Sequence, residues 1–421
     1  MAVHFNGETY ISQTVSVADS RLYEISFAYA PRDLTYYAGG RVNVWIDDVK
    51  VGYVDCDVAT MKFRRCKMRV RIAAGSHVFK LSHTLDHPVR VQNTPCSVID
   101  AVSIVEAEDD NLIANGGFES YIGTLSGIEA VFSDSFKVDT WKYDTSGSGL
   151  ATTNSNYLQN KSGSPFEGNV SYWFNNAHSV SQTVFVAESG DYDISFAYAP
   201  RHTQYYYNGR IRVFLDDEEV GEYADCDRAT SKFRNHLFRT HVSAGLHVFM
   251  LKHTTENPAD GSHIPCSAVD AVSFRAANTL LLNGNFDAGN VVANSGGYSG
   301  STDSGYANPG WTTSGACGLA KPGVPNSARL VSSSIDSGVY SMFILTANYT
   351  NSKGETRQND PVSISQSFDA PMAGVYELRF SYAARPYTQY AGGTIYARIY
   401  KGKGLAGEKV WERSVVATKS S

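Results

Sequence analysis

The segment SQTVFVAESGDYDISFAYAPRHTQYYYNGRIRVFLDD, Ser181 to Asp217, constrains this chain more than any other feature. It occurs earlier as SQTVSVADSRLYEISFAYAPRDLTYYAGGRVNVWIDD, Ser12 to Asp48. It returns, more altered, as SQSFDAPMAGVYELRFSYAARPYTQYAGGTIYARIY, Ser365 to Tyr400. The first two match without gaps. One folding unit has been copied along the chain, so fold and function are argued per unit.

The repeated block is β. Tyr192, Ile194, Phe196 and Tyr198 alternate with Asp193, Ser195, Ala197 and Ala199. Period two over eight residues is a strand with one buried face. Glu188 to Asp191 form a turn cluster before it. Asn208-Gly209 breaks the chain after it, and Ile211, Val213 and Leu215 restart the alternation. No window shows sustained helical periodicity. The expected fold class is therefore all-β: tandem antiparallel β-sandwich domains.

The repeat sets the expected boundaries. Residues 1–107 form a first copy without any counterpart of Asn111 to Trp173. Residues 108–277 form a complete copy, and residues 278–421 a third without the last two strands. The chain thus reads as a window on a longer array. Its outer copies are expected to expose a strand edge and to be less stable than the middle one.

Composition removes several function classes. The net charge is −6, so nothing neutralises phosphates in bulk and no nucleic-acid partner is expected. Lys62, Arg64, Arg65 and Lys67 read as a solvated strand end. No apolar run is long enough for membrane insertion. Tyr (26) and Phe (20) are abundant while only 19% of residues are charged, which suits a sandwich with polar outer faces.

Cysteines follow the repeat. Cys56 and Cys226 each sit in Asp-Cys-Asp, and Cys96 and Cys266 each sit in Pro-Cys-Ser at the same interval. That spacing favours Cys56–Cys96 and Cys226–Cys266 disulfides, hence an exported protein. The alternative is four buried thiols. Cys66, opposite His236, and Cys317 are expected to be free.

The ends of the complete copy carry a resemblance. Asn115-Gly116-Gly117-Phe118-Glu119, Trp141, the Gly-x-Tyr-x-Ile-x-Phe strand, Ala244-Gly245-x-His247 and Val269-Asp270-Ala271-Val272-Ser273-Phe274 resemble the galactose-binding-like jelly rolls. That superfamily includes many carbohydrate-binding modules attached to bacterial polysaccharide-degrading enzymes. The resemblance implies a jelly-roll sandwich, a glycan partner and an extracellular or cell-surface location. It also implies a structural Ca2+ held by Glu119 and Asp270. Calcium takes six to eight hard oxygens, and an inward Asp270 needs a counter-charge or donors. Hydrogen bonds from Ser or backbone N–H groups would satisfy it equally.

The aromatics supply the candidate ligand site. In Arg210 to Phe214 the aliphatic residues face one way, leaving Arg212 and Phe214 on the other; the first copy has Asn43 and Trp45 there. Sugar rings stack their C–H faces on aromatics and pair their hydroxyls with polar neighbours. Arg201, Tyr205, Tyr206 and Tyr207 add the same chemistry in the adjoining loop, matched by Arg32, Tyr36 and Tyr37. Packing between the copies is the competing use of these rings.

Two constellations read as structural. His247 and His253, like His77 and His83, bracket a strand and are about 20 Å apart at 3.3 Å per residue, too far to share a metal. Asp216 to Glu219, matched by Asp47-Asp48, read as a turn rather than a catalytic pair. No catalytic motif is present, and copying a unit favours multivalent binding. The expected function is non-catalytic glycan binding by repeated modules of a secreted or surface protein. The alternatives are a structural or adhesin stalk with no small ligand, and an accessory region of a polysaccharide-degrading enzyme.

Overall fold

Alternation becomes strand in the first two copies of the repeated block, whereas residues 376–380 of the third carry no strand and leave Tyr376, Leu378 and Phe380 exposed. In a computed structural model, Tyr192, Ile194, Phe196 and Tyr198 are all buried while Asp193 and Ser195 are half-exposed. Each large apolar side chain so buried contributes roughly 1.5–3 kcal/mol. The structure describes residues 2–32, 39–56, 63–88, 96–125, 127, 129–133, 136–143, 147–155, 165–201, 209–226, 233–255, 265–283, 286, 298–300, 308, 310–314, 317–320, 341–344, 349–350, 356–357, 362–368, 376–380, 382, 393–402 and 407–417. Among these there is no helix, and hence none long and apolar enough to cross a membrane.

Residues 1–277 form one compact unit and residues 278–421 a second. The first unit holds two sandwiches. In the first sandwich the strands are β1 (Val3–Asn6), β2 (Thr9–Val17), β3 (Arg21–Pro31), β4 (Gly39–Ile46), β5 (Val49–Asp55), β6 (Arg64–Ile72), β7 (Gly75–Pro88) and β8 (Cys96–Glu106). They form a back sheet, β1-β8-β3-β6, and a front sheet, β2-β7-β4-β5. Ile25, Phe27, Val42, Val44 and Leu81 fill the space between them.

The second sandwich repeats this plan with more strands. They are β9 (Tyr121–Ile122), β10 (Glu129–Val131), β11 (Lys137–Val138), β12 (Lys142–Tyr143), β13 (Ser148–Thr152), β14 (Val170–Asn175) and β15 (Ser179–Val186). Then come β16 (Gly190–Pro200), β17 (Gly209–Leu215), β18 (Glu218–Glu219), β19 (Ala224–Cys226), β20 (Arg234–Val242), β21 (Gly245–Thr254) and β22 (Cys266–Ala276). The back sheet runs β10-β13-β14-β22-β16-β20 and the front sheet β12-β15-β21-β17-β18, with β19 also on β17. The neighbouring strands of both sheets pair antiparallel.

Local chemistry fixes the turns. Asp47-Asp48 and Asp216-Asp217 all have positive φ, which a two-residue hairpin with the right-handed strand twist requires. The first Asp of each pair accepts a hydrogen bond from a backbone N–H of the strand alongside in the sheet, Val78 of β7 or Val248 of β21, at 2.8 Å. Its second oxygen meets the His77 or His247 ring. The acidic run is a turn.

His83 and His253 also repeat. The His253 Nδ1–H donates to the Asn176 carbonyl (2.6 Å), Nε2 accepts from the Ser267 hydroxyl (3.0 Å), and the ring stacks on Phe174. His83 does the same with Gly7, Ser97 and Phe5. These contacts hold the strand ends, as the spacing implied.

The expected disulfides are not formed. Cys56, Cys96, Cys226 and Cys266 are buried thiols. Cys96 Sγ donates to the Phe5 carbonyl at 2.5 Å. Burial pushes the Cys266 thiol up to about 12, and neighbouring Cys226 pushes it the same way. Such thiols behave as small packed hydrophobes, and the thiolate needed for exchange is absent at neutral pH.

Beyond the basic run, β6 also carries Arg69 and Arg71, which meet the opening of the second sandwich; in the run itself Arg65 is exposed and Lys62 lies outside the described residues. Arg69 Nη1 donates to Asp109 (2.5 Å) and to the Asn111 carbonyl (2.9 Å), and Arg71 lies 3.6 Å from Asp110. The Thr140 N–H donates to the Arg65 carbonyl (3.3 Å), and Phe185 of β15 packs on the core of the first sandwich. In the second unit, Thr312–Ser314 pairs with Ser363–Ser365, and Gly393–Lys401 with Glu408–Ala417.

Candidate functional site

Strand parity places Trp45 on the outer face of the front sheet of the first sandwich, between buried Val44 and Ile46. Cross-strand register fixes its neighbours. One row runs Ser12, Lys80, Trp45, Lys50 and the next runs Tyr10, Ser82, Asn43, Tyr53. Tyr10, Ser12, Trp45, Asp48, Lys80 and Ser82 line an open groove of about 400 Å³.

Hydrogen bonds hold the groove in shape. Trp45 Nε1–H donates to Ser82 Oγ (2.8 Å), fixing the plane of the indole. Lys80 Nζ donates to Asp48 (2.6 Å) and sits 5.0 Å from the centre of the Trp45 ring. At the far edge, Arg41 lies 3.9 Å over the Tyr53 ring and donates to Asp55 (2.7 Å). Lys80 and Arg41 are thus each paired with a carboxylate of the protein. Tyr10 is 67% exposed at the other edge. The groove offers aromatic faces, hydroxyls and a neutral ion pair.

The second sandwich presents a different face at the same place. Phe214 stands where Trp45 does, Ser179 where Tyr10 does, Met250 where Lys80 does and Lys252 where Ser82 does. Phe214 is half-buried with Lys252 Nζ 5.7 Å from its centre. Arg212 donates to Glu219 (2.6 Å) and lies over Tyr223. Strand β5 of the first sandwich lies against β15 and β21, the strands beside this face. An outward aromatic stands at this position in both copies, and around Trp45 it lines an open groove.

Arg32 and Arg201 do something else. Their backbone N–H groups donate to the Cys96 and Cys266 carbonyls (3.1 and 3.0 Å), and their guanidinium groups hydrogen-bond the same residues' thiols. Tyr36, Tyr37, Tyr205, Tyr206 and Tyr207 lie outside the described residues. Tyr10, Ser12, Lys80, Ser82 and Tyr53 were missed from the sequence. Outward parity along β2 and β7 carries the signal for them.

The residues present do not fit a calcium ion between Glu119 and Asp270. Asp270 is fully buried. Its Oδ2 accepts from Ser171 Oγ (2.8 Å), Phe166 N (3.0 Å) and Glu167 N (3.2 Å), and its Oδ1 from Ala271 N (2.8 Å). Glu119 Oε1 accepts from Asn169 N (2.7 Å) and Val170 N (2.9 Å). Donor hydrogens point where a cation would need lone pairs. Among the described residues no group of three or more His, Cys, Asp or Glu gathers as metal ligands.

No protein-family model matches the chain, and no curated protein matches it. Solved structures similar to it include carbohydrate-binding modules of several families. One is a family 61 module in complex with β-1,4-galactotriose: 14% identity, 40% of this chain, 100% of that one, TM-score 0.28. Another is a family 22 tandem from Paenibacillus barcinonensis: 14% identity, 64% of this chain, 83% of that one, TM-score 0.24. A third is a family 35 module from Clostridium thermocellum: 16% identity, 32% of this chain, 92% of that one, TM-score 0.24.

Two predictions concern the buried polar groups. Chelator should leave the melting temperature of the protein unchanged; a drop restored by calcium would show that the carboxylates rearrange around an ion. Burial lowers the His253 pKa to about 4 and raises that of Asp270 to about 7. The folded state therefore takes up fewer protons at His253 than the unfolded state between pH 4 and 6.5, and stability falls on acidification there. Asp270 takes up more between pH 4 and 7, so its share rises on acidification. Relative to the parent, Asp270→Asn should steepen the loss of stability from pH 7 to 4 and His253→Gln should lessen it, each by up to about 3 kcal/mol. Denaturant titrations across that range test both signs.

Proposed function

We propose that the first sandwich binds a glycan, without catalysis, in the groove over Trp45. The observation that carries this reading is Trp45 itself: a half-exposed indole locked by Ser82, flanked by Tyr10 and hydroxyls, with the nearby charges paired. A pyranose presents C–H bonds to such a ring and hydroxyls to Ser12, Ser82 and Asp48. Paired charges favour a neutral poly- or oligosaccharide over an acidic one. Polysaccharide of this kind is met outside the cell, so a secreted or surface protein is the matching location. The resemblance of the opening and closing motifs to carbohydrate-binding modules supports the same reading.

A second reading has one observation in its favour. The ion pairs from β6 to Asp109 and Asp110, with Phe185 packed across the junction, build the stiff spacer that a stalk or adhesin needs. The two readings part on binding.

Screening the 421-residue protein against neutral oligosaccharides, followed by calorimetric titration, is the test. A glycan should bind, and Trp45→Ala should weaken it at least tenfold, about 1.4 kcal/mol, with the fold intact. Phe214→Ala should leave binding unchanged. A folded protein that binds no glycan would leave the spacer reading standing.

A further inference from the structure

The contact between the two sandwiches of the first unit buries a carboxylate that neither side neutralises. Asp139 is 6% exposed. Its Oδ2 accepts from Ser120 Oγ (2.7 Å), whereas its Oδ1 is buried and accepts no hydrogen bond among the described residues. The neighbouring Thr140 Oγ1 is buried without a partner there as well. The backbone holds Asp139 in place. Its N–H donates to the Ser120 carbonyl (2.9 Å), and its own carbonyl accepts from Asn115 Nδ2 (3.1 Å).

Strand β6 of the first sandwich covers this carboxylate. The Thr140 N–H donates to the Arg65 carbonyl (3.3 Å). The Arg65 backbone N–H, the Arg65 and Lys67 charges and the buried Cys66 thiol face Asp139 from β6. Among the described residues none of them closes an ion pair with it. Arg65 is exposed, and Lys67 is engaged by Glu24 of β3 (2.8 Å). Further along β6, Arg69 is engaged by Glu24 and Asp109 and Arg71 by Asp110, while Arg275 of β22 meets Asp109 from the other side (3.2 Å). The basic side chains of the contact thus go to other carboxylates or to solvent. Burial accordingly holds the Asp139 carboxyl above the usual carboxylate range, against the pull of Ser120, Arg65 and Lys67.

We propose that this contact is a proton-operated joint: uptake of a proton by Asp139 tightens the two sandwiches on each other, and loss of that proton loosens them. Opening returns the Asp139 and Thr140 oxygens to water. An ionised carboxylate gains by that, whereas a neutral acid loses little by staying buried. The closed state therefore binds the proton more tightly than the open one. Closure strengthens as pH falls from the raised value of the buried carboxyl towards the ordinary carboxylate range, and weakens as pH rises through it. Lys, Arg and ordinary carboxylate charges are constant between about pH 5 and 8. The ion pairs of Lys67, Arg69 and Arg71 hold the joint equally across that window. Opening separates β15 and β21 from β5, which lies against them in the closed joint.

Spin-label distances measured by pulsed electron paramagnetic resonance in the 421-residue protein test the joint. The labels sit on unnatural amino acids at exposed Ala18 of the first sandwich and exposed Glu218 of the second, so the native cysteines stay. The open share of the distance distribution should grow at least about twofold from pH 5 to pH 8. Asp139→Asn should remove that growth and leave the joint more closed than the parent at pH 8. Arg69→Ala weakens the contact without removing the proton site. It should raise the open share at every pH and keep the dependence on pH. A distribution that pH leaves unchanged in both the parent and Arg69→Ala, or a dependence that persists in Asp139→Asn, would overturn the proposal.

Discussion

Docking of the second sandwich on strands β5 and β6 of the first decides which outward surface of this protein stays open. Arg69 is the hinge of that contact. Its side chain is 12% exposed and bridges Glu24, Asp109 and the Asn111 carbonyl, so it joins the back sheet of one sandwich to the opening of the next. Hydrogen bonds to a charged group this dry are each stabilising by about 1.5–3 kcal/mol. Asp139 faces the same strand, and burial raises its pKa despite Ser120, Arg65 and Lys67. Strand β5 lies against β15 and β21 of the second sandwich, and β21 pairs with the strand that carries Phe214. Two copies of one unit therefore end with different surfaces.

The same asymmetry runs through the polar framework. Both sandwiches keep the hairpin Asp, the strand-end His and the Arg-over-Tyr cluster, Arg41 with Tyr53 and Arg210 with Tyr223. These hold strands and loops in place and are indifferent to what the surface does. What differs is a handful of outward positions: Tyr10, Trp45, Lys80 and Ser82 against Ser179, Phe214, Met250 and Lys252. Those four exchanges remove the Tyr10 ring and the Ser82 hydroxyl and move the cation from the Lys80 position to that of Lys252, 5.7 Å from the centre of the Phe214 ring.

Much of this was legible in the sequence because period-two alternation is a local property. Tyr192 to Tyr198, the Asp-Asp turns and the strand-end histidines all follow from residue order and repetition. The outward aromatic at Trp45 followed too, since parity alone sets it. What could not be read was cross-strand register, which places Ser82 under the indole and Tyr10 beside it from strands far along the chain. The cysteine error has the same root: equal spacing in two copies shows that the residues have matching positions, not that their sulfurs bond. Arg32 and Arg201 went to those thiols because each follows the end of a strand that pairs with the cysteine's own. The Asp270 carboxylate drew its donors from Phe166 and Glu167, a hundred residues earlier, where no local pattern announced them.

The claim that one groove, and not each copy, meets the ligand can be tested at the level of single residues. The chain has five tryptophans, each giving one indole N–H signal in a nitrogen-15 spectrum. On titration with a glycan that binds, the Trp45 signal should move, because its N–H is held at the groove by Ser82, while those of buried Trp141 and Trp173 should stay in place. Movement at Trp173 or Trp411 with Trp45 unmoved would contradict it.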